Sequence, residues 1–387
     1  MAITDKEKGV WGLDQVYNKI NQGSIWEYTS SSGFLWSWGK GDDWGNLGHN
    51  SRQTVSSPVQ VGSDGTWVEL GIDGRVYGSN FGIKNDGTLW AWGLNTVGQL
   101  GQNSPTNAAR SSPTQIPGST WSKLSHAYLR ASAIKTDGTL WLWGYNNKGQ
   151  LGHNNVTDYS SPVQVPGSTW KSITSGTTFS LATKTDGTLW GWGFNNYGML
   201  GNNNLTSYSS PVQVPGTSWS YAWASEESVL SVRTDGTLWA WGRNTYGSLG
   251  QNNTTWRSSP TQIPGTYAVG QDKINGGYYG ALAIKTDGTL WSWGYNGGGN
   301  LGQNNTTKYS SPTQIPGTTW NGVQSGYIYT AATKTDGTLW SWGLNSNGQL
   351  GQNNTTQYSS PIQIPGDWAT NSGALGVGWD GMMAIKN

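Results

Sequence analysis

The chain has 387 residues, 58 of them Gly and 26 Trp, with 11% charged residues, a formal net charge of +1 and no Cys. This composition excludes disulfides and thiolate metal sites, and it offers nucleic acid or an anionic membrane no basic surface. No stretch approaches the ~20 apolar residues of a membrane span, so the length suits two ordinary domains or one large ring of repeats.

In chain order, the first segment is unlike the rest. Asp5, Lys6, Glu7 and Lys8 precede no apolar h-region, so no signal peptide is expected. Leu13, Val16, Tyr17 and Ile20 fall at helical spacing with Asp14 near the start. A partly helical segment over residues 1–28 is expected, with Trp11 and that stripe docking onto another surface.

From residue 29 to 387 a repeat takes over. Trp-x-Trp-Gly occurs seven times, beginning at Trp36, Trp90, Trp141, Trp190, Trp239, Trp291 and Trp340. Each copy runs on into Asn-x-x-Gly-x-Leu-Gly, a polar stretch, Ser-Ser-Pro and a Pro-Gly step. A short apolar strand and Asp-Gly-Thr-Leu follow. Alternation puts both indoles of Trp-x-Trp on one face of a strand. Asp-Gly between alternating runs signals a hairpin, here expected as a primed turn. Pro in Ser-Ser-Pro marks turns and edge strands, where no ladder donor is lost. About 50 residues with four short strands make one propeller blade. The first copy begins abruptly at Ser32-Gly33-Phe34, and Met382-Met383-Ala384-Ile385-Lys386 stops short of a hairpin. The last strand is therefore expected to pair with the first, closing an all-β ring of seven blades and removing two exposed edges.

The string Leu-Trp-x-Trp-Gly-x-Asn-x-x-Gly-Gln-Leu-Gly, with Pro-x-Gln-Ile and Ala-x-Lys-x-Asp-Gly, resembles the RCC1 repeat family, of the regulator-of-chromosome-condensation type. The resemblance implies a seven-bladed β-propeller. It does not fix one function, since members include a nucleotide-exchange factor, plant ultraviolet sensors and a secreted bacterial inhibitor of β-lactamases. The family's Gly-x-x-His-Thr segment is degenerate, Gly276-Gly277-Tyr278-Tyr279-Gly280 being nearest, so no functional residue carries over. Residues 10–20, Val-Trp-Gly-Leu-Asp-Gln-Val-Tyr-Asn-Lys-Ile, resemble the start of structural proteins in tailed phages of marine bacteria.

Candidate chemistry is thin. Fourteen Trp sit in Trp-x-Trp, and Trp67, Trp121, Trp170, Trp219, Trp320 and Trp368 share one repeat position, so most indoles read as structure. Asp42-Asp43 and Glu226-Glu227 are the adjacent carboxylates outside the hairpins, and neighbours on a strand point apart. Three scattered His make no zinc site. His49 and His153 stand where other repeats have Gln, as hydrogen-bonding residues. No catalytic residue, metal or cofactor is expected.

The repeats differ mainly just before the Ala-x-Lys strand. There stand Arg75 and Tyr77, Tyr128 and Arg130, Phe179, Glu226 and Glu227, Tyr278 and Tyr279, Tyr327 and Tyr329, and Trp379 and Asp380. One cluster per blade on one face predicts a ligand-binding surface, since Tyr, Trp and Arg dominate binding hot spots; in the β-lactamase-inhibiting members the resemblance places the partner on the corresponding face. The expected function is a non-enzymatic binding module on a phage virion surface, made in the host cytoplasm. Residues 1–28 would dock to other virion proteins, and the propeller would bind a host-surface glycan or protein, without nucleic acid or membrane insertion. A soluble protein-binding regulator or inhibitor is the alternative.

Overall fold

The structure, a computed structural model, describes residues 32–41, 44–71, 78–104 and 108–386. The expected helix and docking residues Trp11, Leu13, Val16, Tyr17 and Ile20 lie outside them, as do Arg75, Tyr77 and the Asp42-Asp43 doublet. Among the described residues, the strands form seven four-stranded antiparallel sheets, and the helical residues are a single turn, Gln271–Lys273.

Each sheet is one blade, and the innermost strands of the seven are Trp67–Leu70, Trp121–Ala127, Trp170–Ser175, Trp219–Ala224, Ile274–Asn275, Trp320–Ser325 and Leu375–Val377. Blades are numbered one to seven in that order. Blade seven is composite. Gly381–Lys386 pairs with Phe34–Gly39 over six residues, from Phe34 opposite Lys386 to Gly39 opposite Gly381, and the sheet order runs Val55–Gln60, Phe34–Gly39, Gly381–Lys386, Leu375–Val377. The expected closure between the two ends of the repeat region is present.

Tryptophan holds the ring together. The second indole of every Trp-x-Trp is fully buried and donates its Nε1 hydrogen to a carbonyl of the preceding blade: Trp143 to Gln99 at 2.9 Å, Trp192 to Gln150 at 2.9 Å, and Trp38 to Gln349 at 3.0 Å across the closure. The Gly of Leu-Gly makes room for it. A Cβ on Gly101 would lie 2.6 Å from the Trp143 Nε1, and Gly101 also has φ +69°, where side chains are strained. Farther out, the backbone N–H of an Asn in each loop donates to the next blade's Ser-Ser-Pro segment, as that of Asn154 does to the Ser209 carbonyl at 2.7 Å.

The hairpins form where expected, but their geometry differs. Gly138 donates to the Lys135 carbonyl at 2.9 Å. Gly138 has φ +76°, while Asp137 is not among the residues with positive φ. This is a three-residue loop, a type I turn followed by a left-handed Gly, rather than a two-residue primed turn. The Asp is needed for its side chain: Asp137 Oδ1 accepts from the Thr139 hydroxyl at 2.6 Å and its N–H at 2.9 Å, and the Trp141 indole donates to that hydroxyl.

In blades two to seven, the loops from the inner strand to the next strand open on one end of the ring, beside the loops that follow Trp-x-Trp-Gly. This end is called the tip face below. The Asp-Gly hairpins occupy the other end.

Candidate functional site

The tip residues divide by register. Arg130, Phe179 and Tyr329 each pair with the Gly of Trp-x-Trp-Gly, opposite Gly144, Gly193 and Gly343. Side chains at this position turn into the seam with the next blade. Arg130 is 2% exposed, and its guanidinium donates to the carbonyls of Thr177 at 2.8 Å, Gly176 and Phe179. Tyr329 is fully buried, its hydroxyl donating to the carbonyls of Gly378 at 3.0 Å and Gly381 at 2.6 Å. Phe179 is likewise fully buried. The expectation that these three face a ligand is corrected: they fill blade seams. Tyr329→Phe takes the hydroxyl from the Gly378 carbonyl, while the Gly381 carbonyl keeps the Gly378 N–H at 2.8 Å; it is expected to destabilise the fold by about 1–3 kcal/mol, read in denaturant unfolding, while leaving tip-face binding unchanged.

Two residues earlier the side chains stay at the surface. Tyr278, Tyr327 and Trp379 are half-buried and touch one another across three blades. Trp379 stacks on Tyr327 with centroids 3.9 Å apart and planes 13° apart, and Tyr327 meets Tyr278 at 4.6 Å. The run continues through Tyr279, 4.3 Å from Tyr278, to Tyr246 at 5.0 Å, with Tyr295 5.2 Å from Tyr246. Arg243 carries it on, its guanidinium 5.0 Å from the Tyr197 ring and 5.5 Å from Trp256, which is 47% exposed. The result is an aromatic arc across blades three to seven. Tyr128 stands apart, 6.1 Å from Tyr145.

The arc is braced by charge. Glu227 pairs with Arg243 at 2.6 Å and accepts the Tyr279 hydroxyl at 2.9 Å. The Glu226-Glu227 doublet thereby gains a basic partner from the loop after Trp-x-Trp-Gly. Burial, then the charges of Glu226 and Glu227, push the Tyr279 hydroxyl far above its usual range, and Tyr279 is only 9% exposed. It supports the arc from beneath. Lys308 sits 4.8 Å from the Tyr246 ring. At the far end Asp380, its carboxyl raised by burial, lies 3.9 Å from Lys40 beside a cleft that Trp379 and Asn80 also line.

Sequence reasoning missed Tyr145, Phe194, Arg243 and Tyr295, which directly follow Trp-x-Trp-Gly in blades two to five. That position also holds Lys40, Leu94 and Leu344. Its variation was readable, but it lies inside an otherwise constant motif. Also missed were Glu69 and Asp272 near the axis. Glu69 pairs with Lys123 at 2.7 Å and Asp272 accepts from Gln324 at 3.1 Å and the Gly373 N–H at 3.0 Å. Burial raises both carboxyls, and their acceptor atoms are taken up in tying inner strands together. His153 and His49 hydrogen-bond as expected, each with Nε2 near a carbonyl, of Val163 at 3.1 Å and Val59 at 3.3 Å.

The RCC1-like domain profile matches residues 34–384. The chain belongs to the RCC1-like domain family. Among curated relatives, the zebrafish (Danio rerio) protein RCC2 homolog is 33% identical over 129 residues, which is 33% of this chain and 25% of that protein. The ultraviolet-B receptor UVR8 of Arabidopsis thaliana is 29% identical over 133 residues, covering 33% and 29%. The chain thus aligns with only about a quarter of such relatives. Of solved structures, yeast RCC1 (Prp20), determined bound to Kap60, superposes with a TM-score of 0.79 at 17% identity over 93% of this chain and 92% of that one. Human WBSCR16 gives 0.79 at 20% identity over 92% and 100%. These likenesses establish the RCC1-like propeller fold.

Proposed function

We propose that this RCC1-like propeller is a non-catalytic binding module whose aromatic arc receives a protein partner. The observation that carries the reading is the contiguity of Trp379, Tyr327 and Tyr278: rigid rings from three blades form one half-buried patch with hydroxyl rims. Such residues supply contact area at low entropic cost and concentrate binding energy. Protein recognition accords with the similar yeast propeller, whose structures are described as bound to Kap60 and in terms of binding to Gsp1p and histones. A fixed ring with varied loops on one end suits reversible, multi-contact recognition.

The test uses the full chain as bait. The variant Tyr278→Ala, Tyr327→Ala, Trp379→Ala removes half-buried ring area and the surface contacts among these rings, and it leaves the buried seam contacts of Arg130, Phe179 and Tyr329 in place. It is expected to keep its melting temperature within a few degrees and to weaken a captured partner about 100-fold, each ring contributing on the hot-spot scale. Undiminished binding by the folded variant would place recognition elsewhere.

A second reading, display on a phage particle with a host-surface ligand on the same arc, is favoured by the resemblance of residues 10–20 to phage structural proteins. In it Trp11, Leu13, Val16, Tyr17 and Ile20 dock to the particle, and the polypeptide is found in purified virions.

A further inference from the structure

The flank of the ring carries a different kind of surface. In blade three, Trp170 pairs with Lys184 and Trp190 with Gln213, so an indole, an ammonium, a second indole and an amide stand in a row across the sheet. The Lys184 Nζ lies 4.7 Å from the Trp170 ring and 4.4 Å from the Trp190 ring. Trp190 donates its Nε1 hydrogen to the Thr188 hydroxyl at 2.9 Å. Its polar atom is thereby satisfied within the hairpin, and the half-exposed remainder of the ring is hydrocarbon and π surface. Blade two supplies the facing wall with Tyr159, His153 and the exposed amide of Gln164. Between the walls lies a groove of about 530 Å³, open to solvent.

We propose that this groove is a carbohydrate subsite that takes one neutral hexopyranose of a glycan chain. A pyranose has an apolar C–H face and a rim of hydroxyls that both donate and accept. It matches a groove in which each wall sets a polar group beside aromatic rings, Lys184 beside the two indoles and Gln164 beside Tyr159 and His153. An apolar ligand would leave Gln164 and Lys184 facing hydrocarbon. An added peptide strand is disfavoured because Pro162 and Pro211 interrupt the outer edges of blades two and three. Neutral sugar fits better than acidic sugar, because Asp186 of the same hairpin adds a carboxylate within electrostatic reach of Lys184.

The row is not confined to one blade. The indole–amide pair recurs from Trp36 with Gln60 to Trp340 with Gln363, and every blade holds a Lys or Arg against its rings. A polymer of repeating sugars meets several weak copies together, so avidity grows with its length.

The experiment follows 5-fluorotryptophan resonances of the full chain during titration with cellohexaose, maltohexaose, chitohexaose and hexagalacturonate. The Trp190 signal is assigned by its disappearance in Trp190→Phe. At least one neutral oligosaccharide is expected to shift it saturably below about 10 mM, the weak range of single contacts. Gln164→Ala, an exposed position that leaves the fold intact, is expected to weaken that shift several-fold. The tip variant carrying Tyr327→Ala and Trp379→Ala is expected to keep it in full, so this site stands or falls apart from the protein-binding arc. No shift with any neutral sugar, a shift with hexagalacturonate alone, or a shift lost with the tip residues would each overturn the proposal.

Discussion

Ala384→Pro is expected to destabilise the ring by more than about 3 kcal/mol, seen as a large fall in denaturant midpoint and loss of the near-ultraviolet tryptophan signal. Gly381–Lys386 is a central strand: Ala384 stands between Trp36 on one side and Leu375 on the other. Proline there removes a ladder donor and pushes its ring into the pairing. The chain itself supplies the control. Every outer strand already contains a proline, from Pro58 and Pro113 to Pro361, because an edge strand loses nothing to it. The damage should also spread beyond the one pairing. Trp38 reaches back to the Gln349 carbonyl of blade six, and unzipping the closure uncovers two sheet edges together with the core around Trp38, Trp368 and Met382. An unchanged midpoint would mean that the closure contributes little and that the inner strands alone hold the ring.

That closure was legible because the repeat is strict. Seven copies of Trp-x-Trp-Gly set the blade count, and the incomplete copies at each end named each other as partners. The roles within the copy were legible only where period-two alternation decides them. Alternation put the two indoles of Trp141 and Trp143 on one face. It could not say that Trp143 crosses to the previous blade while Trp141 stays under Lys135, since a seam between sheets leaves no periodic trace.

The tip residues show the same limit. Arg130, Phe179 and Tyr329 share their register position with Ser79, Ser228 and Gly381. That range looks like a tolerant surface. It arises because each seam is filled in its own way: a guanidinium or a hydroxyl reaching carbonyls in two blades, a phenyl ring packed against the next loop in a third. Variation among repeats therefore marks freedom from the common motif, not exposure. One turn of the pleat away, Tyr278, Tyr327 and Trp379 vary and are also at the surface. The arc's other half lay in a loop whose constant Asn and Gly masked the variable residue between them. Arg243 joins Glu227 because both loops open on the same end of one sheet, a proximity that follows from blade topology and not from their separation in the chain.

Lowering the pH from 7 to 4.5 is expected to remove about 2–3 kcal/mol of stability through His126 alone. The imidazole is 2% exposed, lies 5.1 Å from the Phe81 ring and against Gly71, and has no hydrogen-bond partner on either nitrogen. Burial without a counter-charge holds its pKa down to about 3, against 6.5 when free. Above pH 6.5 neither the folded nor the unfolded chain protonates it, and it makes no pH-dependent contribution. Below 6.5 the unfolded chain takes up a proton that the folded one refuses, so stability falls with each unit until about pH 3. The raised carboxyls of Glu69 and Asp272 act in the opposite sense, binding protons in the fold before they would in the open chain. The hairpin aspartates, such as Asp137, are lowered by their Thr contacts and lose their contribution only once the pH falls below the ordinary carboxylate range. The comparison that isolates His126 is therefore a difference of differences. Denaturant midpoints of the wild type and His126→Leu, each at pH 7 and 4.5, should show the wild type losing about 2–3 kcal/mol more than the variant. Equal losses would mean that the imidazole gains a proton in the folded ring, which requires the seam between blades one and two to open at its tip end.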